Sequence, residues 1–175
     1  MLKRICTCVA VAVIINIVSF AQAAKPVTVT LTGANGAPVG TATIQQEIQG
    51  VSVHLALMNL TPGVHAIHFH QTPACTAPAF TSAGGHFNPT AAHHGFHNPA
   101  SPHPHAGDME NITVAADGTT NQIVVDDRVT LQPGVPNSLF ANGGTALVVH
   151  AKADDMMSDP AGNAGDRVAC GVISQ

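Results

Sequence analysis

Tryptophan and tyrosine are absent from the 175 residues, phenylalanine occurs six times, and Asp, Glu, Lys and Arg together supply only 9%. The aromatics are too few to mark an interface patch. Against the roughly one-quarter charged residues of an average domain, this composition excludes a coiled coil, a basic nucleic-acid binder and an acidic disordered tail. Helical periodicity is also missing: no long stretch carries a clean 3.6-residue repeat, and no internal repeat or linker divides the chain, so a single domain is expected. What is abundant is histidine. There are eleven, nine of them between His65 and His105.

The chain begins Met1-Leu2-Lys3-Arg4, continues with an apolar run from Ile5 to Phe20, and reaches Ala21-Gln22-Ala23. Two positive charges, an apolar core and an A-x-A site are the parts of a secretory signal peptide. Residues 1–23 are therefore expected to be removed, leaving a domain over 24–175 in the periplasm or outside the cell. The run of 16 apolar residues falls short of the ~20 that span a bilayer, so no stable membrane insertion is expected after cleavage. Four basic residues then face ten acids, a net charge near −6 with neutral histidine, and nucleic acid is not a fitting partner. Only Cys75 and Cys170 remain of the cysteines, a single pair in a compartment where disulfides persist.

Short β-branched, alternating segments occur at Val27–Leu31, Thr41–Gln46, Val51–Met58, Val64–His70, Ile112–Val114, Gln122–Val125, Ala146–His150 and Val168–Ile173, separated by Gly-, Asn- and Pro-containing turns. Eight strands predict an all-β protein, a Greek-key β-barrel or sandwich. Two connections, about 71–110 and 151–166, are too long for simple turns and are expected to be functional.

His68-Phe69-His70 ends a predicted strand, where residues two apart face the same way. His65 has the opposite parity and reads as structural. His86, the pair His93-His94, His97, His103, His105 with Asp108 three residues later, and strand-terminal His150 follow. Imidazole-rich ligation suits copper and zinc, and three imidazoles with a carboxylate form an ordinary closed zinc set. The scarcity of thiolates argues against iron–sulfur or cysteine–zinc chemistry. Two metal sites of different character are the natural reading.

His65-Ala66-Ile67-His68-Phe69-His70, Gly84-Gly85-His86-Phe87-Asn88-Pro89, His105-Ala106-Gly107-Asp108, Leu147-Val148-Val149-His150 through Asp155, and Gly162 through Ile173 resemble, in order, the signatures of the copper,zinc superoxide dismutase family in its exported bacterial form. The resemblance implies one copper and one zinc ion per subunit. Copper ligands fall on His68, His70, His86 and His150, and zinc ligands on His86, His94, His105 and Asp108, with His86 bridging. Asp154 matches the carboxylate linking a copper-ligand histidine to a zinc-ligand histidine. Arg167 matches the arginine that holds the substrate anion, and Cys75–Cys170 the disulfide tying the loop to the last strand. The implied activity is dismutation of superoxide to dioxygen and hydrogen peroxide by Cu(II)/Cu(I) cycling, with a catalytic part for Arg167 and His86. The family includes monomers and homodimers.

Two departures stand out. The second loop lacks the lysine that eukaryotic members use to steer superoxide, which leaves Lys152 as the candidate, and Asp166 beside Arg167 is expected to weaken the local positive field. His93, His97 and His103 have no role in the family pattern. The rival reading is a non-catalytic copper or zinc carrier built on the same fold, which could dispense with a copper ligand, the bridge or Arg167.

Overall fold

A computed structural model describes residues 25–175; the segment read as a signal peptide, 1–23, lies outside the described residues. Among the described residues there are nine strands: β1 Val27–Gly33, β2 Pro38–Gln46, β3 Val51–Leu57, β4 Gly63–His65, β5 Ile67–His70, β6 Ile112–Val114, β7 Thr120–Asp126, β8 Thr145–His150 and β9 Arg167–Ile173. In β1 to β3 the pattern of the sequence becomes the pattern of burial. Val29, Leu31, Ile44, Val53 and Leu55 face a common core while the alternate Thr28, Thr30, Gln45 and His54 face out, as a half-solvated antiparallel sheet requires.

Seven strands form one antiparallel sheet in the order β5-β8-β9-β1-β2-β3-β7, and β4 pairs with β6 in a small second sheet. By chain connection this pair joins the two edges of the larger sheet: β4 leads into β5 through Ala66, and β6 leads into β7 through a turn closed by Gly118 N donating to Ala115 O. The arrangement is the expected Greek-key barrel. Its strand count differs from eight because the predicted strand Val64–His70 divides at Ala66. There the backbone turns from pairing with β6 to pairing with β8, while Ala66 N donates to Lys152 O and its carbonyl accepts from His150 N.

β5 and β8 are buried on both faces. Ile67, Phe69, Leu147 and Val149 point into the barrel, whereas Ala146 and Val148 pack outward under the first long loop with Phe80, Ala83 and Cys170. That loop also covers the free edge of β5, a position that otherwise exposes unpaired backbone groups. Phe69 N donates to Gly107 O, Phe87 N to Phe69 O, and isolated bridges form between His70 and His86 and between His68 and Asp108. Gly107 permits this approach, since a Cβ there would stand 2.3 Å from Phe69 O.

Candidate metal centre

The edge pairing that covers β5 also sets His86 opposite His70 and Asp108 opposite His68. His68, His70, His86 and His150 form one cluster, and His86, His94, His105 and Asp108 another; the ligand atoms within each lie within 4.8 Å of one another, and every member is buried. His86 belongs to both. The structure thus brings together the residues singled out as ligands, and of the two adjacent histidines it is His94 that faces inward, while exposed His93 pairs with Asp159 at 2.8 Å.

Orphaned atoms show what the first cluster is arranged to hold. His68 Nδ1 and His86 Nε2 are buried with no hydrogen-bond partner among the described residues, a costly condition for an imidazole nitrogen. His70 Nε2 and His150 Nε2 face each other at 3.3 Å. The remaining nitrogens are engaged. His68 Nε2 donates to Asp154 Oδ2 (2.8 Å), His70 Nδ1 to Gly84 O (3.0 Å) and His150 Nδ1 to Gly165 O (3.3 Å). These contacts fix which nitrogen of each ring is left for a metal.

In the second cluster Asp108 Oδ1 has three imidazole Nδ1 atoms around it, His86 at 2.8 Å, His94 at 3.0 Å and His105 at 3.3 Å. One cation at the centre satisfies all four atoms, and three nitrogens with one carboxylate oxygen suit zinc. The other oxygen of Asp108 accepts from Gly95 N (2.9 Å) and His105 N (3.0 Å), which orients the carboxylate. Asp154 joins the clusters, accepting from His68 Nε2 and, at 3.0 Å, from His94 Nε2. Gly162 makes room for that link: a Cβ there would be 1.7 Å from Asp154 Oδ1.

Burial lowers the imidazoles of the first cluster, His86 to about 4 and His150 to about 3, with His70 well below its ordinary value. Burial would raise Asp108, but hydrogen bonds from His105, His86 and His94 hold it far below the usual carboxylate range. For His94, burial works downward and is outweighed by Asp108 and Asp154, which raise it to about 9. Near pH 7 both ring nitrogens of His94 therefore carry a proton, and a cation bound at Nδ1 would displace one of them. Zinc loading is expected to release about one proton per ion near neutrality, falling away above pH ~9. Calorimetry in buffers of different ionisation enthalpy measures it, and buffer-independent heats at pH 7 would contradict the assignment.

Arg167 lies at the start of β9 and is held by the loop it faces, Nη1 donating to Phe80 O (2.7 Å) and Nη2 to Gly84 O (2.6 Å). Gly84 O also accepts from His70, so the guanidinium stands beside a ring of the first cluster. The disulfide Cys75–Cys170, with Cα atoms 5.6 Å apart, anchors this loop to β9. Among the described residues no carboxylate, that of Asp166 included, lies within ion-pair distance of the Arg167 guanidinium. His65 is structural, its Nδ1 2.7 Å from His150 O and its Nε2 2.8 Å from Thr61 O.

The model of copper/zinc superoxide dismutase (SODC) matches residues 38–173. The chain belongs to the copper/zinc superoxide dismutase family. It is 48% identical over 139 residues to superoxide dismutase [Cu-Zn] 1 of Aquifex aeolicus, covering 79% of this chain and 81% of that protein. Among solved structures, the Cu/Zn superoxide dismutase of Brucella abortus superposes with a TM-score of 0.70 at 29% identity, over 86% of this chain and 100% of that one. A superoxide dismutase-like protein from Bacillus subtilis gives 0.79 at 36% identity, over 83% of this chain and 96% of that one. Family members use one copper and one zinc per subunit, and the two clusters fit that pair.

Sequence reading missed the groups that hold these ligands. Asn111 clamps the Asp154 backbone, its Nδ2 donating to Asp154 O (2.9 Å) and its Oδ1 accepting from Asp154 N (2.8 Å). No local motif marks it. Arg128 reaches the carbonyl of Asp108, and its rarity as one of the few basic residues was the available signal.

Proposed function

We propose that this chain, exported and cleaved, dismutes superoxide to dioxygen and hydrogen peroxide and so protects the cell envelope. The observation that carries the reading is His86, whose two nitrogens enter two different four-residue sets, one of them with orphaned imidazole nitrogens beside an arginine. When bound, copper supplies a one-electron couple and zinc a redox-inert cation.

The protein's own groups do the rest. His68, His70, His86 and His150 would hold copper, through His68 Nδ1 and the Nε2 atoms of the other three, each ring's second nitrogen being already engaged. His86, His94, His105 and Asp108 would hold zinc, with His86 shared between the two sets. Arg167 is a catalytic residue that receives the anion; burial lowers its pKa, but a guanidinium stays charged at physiological pH. The surrounding carbonyls leave it without a competing carboxylate. A metal carrier has no use for such a cation, which favours the enzyme. The disulfide supports an oxidising compartment.

The test is superoxide decay with the fully metallated mature chain. No acceleration, or an unchanged rate in His150→Ala, refutes the reading.

On a domain of net charge near −6, long-range steering is weak and local positive groups matter. Arg167→Ala is expected to lower kcat/KM by about tenfold or more at every ionic strength. Lys152→Ala is expected to flatten the dependence on salt while leaving the high-salt rate intact. Equal salt slopes in wild type and Lys152→Ala would remove Lys152 from the mechanism.

A further inference from the structure

Asp108 sits in a connection of about forty residues with almost no regular structure, yet a metal ligand must be held to tenths of an ångström. Its carboxylate is oriented by Gly95 N and His105 N, and its backbone is held from the far side of the molecule. Arg128 follows β7, the sheet edge opposite β5, and its Nη2 donates to the Asp108 carbonyl. Because Asp108 also bridges to His68 in β5, this single side chain ties the two edges of the seven-stranded sheet together at the zinc set.

The arginine is itself fastened. Asp126 Oδ1 accepts from Arg128 Nη2 (2.9 Å) and from its backbone N (3.0 Å), and Asn137 Nδ2 donates to Arg128 O (2.9 Å). The guanidinium carbon lies 4.9 Å from the Phe96 ring centroid, a cation–π contact. Phe96 adjoins Gly95, whose N–H orients the Asp108 carboxylate, so both grips on Asp108 meet at Arg128.

The geometry of the ion pair shows what it is arranged for. An arginine and a carboxylate left to themselves tend to form a two-bond fork. Here Asp126 Oδ2 and Arg128 Nε are both buried without a hydrogen-bond partner among the described residues, because Nη2 is shared between Asp126 Oδ1 and the Asp108 carbonyl. The pair forgoes its own best arrangement, at a cost, to reach the metal loop.

We propose that Arg128, set by Asp126, is a positioning residue for the carboxylate ligand of the zinc set and raises zinc affinity without touching the metal. This rests on reading His86, His94, His105 and Asp108 as a zinc site. Burial pushes the Asp126 carboxyl up to about 7, against the pull of Arg128, but Oδ1 accepts in either protonation state. Asp126→Asn is therefore expected to be milder than Asp126→Ala.

The experiment is zinc and copper affinity of the full-length mature protein by chelator competition, with the absorption spectrum of cobalt in the zinc set and the melting temperature of each metal-free variant. Arg128→Met is expected to weaken zinc about 10- to 100-fold, the range for outer partners of a metal ligand, to alter the cobalt spectrum, and to change copper affinity by less than about threefold. Arg128→Lys, which keeps the charge but gathers the donors on one nitrogen in place of the planar guanidinium, is expected to fall between and serves if Arg128→Met does not fold. Unchanged zinc affinity in a folded variant overturns the proposal, as does equal weakening of both metals in step with lowered melting. Weak zinc binding by the wild type would instead overturn the zinc reading on which it rests.

Discussion

His86→Ala is expected to lower the affinity for both metals and to leave less than about 1% of the wild-type superoxide-decay rate. Outer partners of metal ligands already cost up to about 100-fold when removed, and this substitution removes a ligand from both sets. His86 Nδ1 faces Asp108 Oδ1 at 2.8 Å, while its Nε2 is an orphan facing the other cluster, its ring 3.9 Å from that of His68. Single-site variants supply the contrast. His105→Ala is expected to release zinc and retain copper, and His150→Ala to release copper and retain zinc. Metal analysis with the decay assay measures all three. Loss of only one metal from His86→Ala would mean that the two sets do not share a ligand.

Cys75→Ser is expected to destabilise the domain by roughly 4 to 5 kcal/mol, the loop-entropy value for a separation of 95 residues. For a domain of this size that corresponds to a drop in Tm of about 10 to 20 °C. The effect on rate is separate and follows from position. The bridge secures the loop whose Phe80 and Gly84 carbonyls hold Arg167, and it reaches β9 three residues beyond that arginine. Without it the folded variant is expected to turn over more slowly than wild type, by less than Arg167→Ala does, because the cation remains but is no longer fixed. Calorimetric melting together with rates taken well below Tm separates the two effects. An unchanged Tm would show that the bridge does not constrain the unfolded chain.

Much of the barrel was legible because antiparallel strands with one wet face write their burial into the sequence at a period of two. Val27–Leu31 and Thr41–Gln46 are such cases. The prediction failed at Ala66, where β4 and β5 change partners without any break in hydrophobicity. A switch of pairing is decided by backbone groups of β6 and β8, both distant in sequence. β8 reads as a strand whose unbroken apolar run Ala146–Val149 suits burial on both faces, but its sequence gives no sign that Phe80 and Ala83 arrive from a loop to cover the outer one.

The candidate ligands were legible for a different reason: imidazole, carboxylate and guanidinium chemistry is carried by the residue itself, and the order of His68, His70, His86, His94, His105, Asp108, His150, Asp154 and Arg167 survives in the family signatures. What surrounds them was not. Asn111 on Asp154 and Arg128 on Asp108 act through the partner's backbone, and a backbone carbonyl is the same at every residue. The sequence by itself determined the strands other than the division at Ala66, the pair of cysteines and which side chains could meet a metal. Only the tertiary structure decided which nitrogen of each ring is free, how Arg167 is braced and what grips the zinc loop, because those depend on hydrogen bonds between segments as far apart as Phe80 and Arg167, for which a linear pattern has no signal.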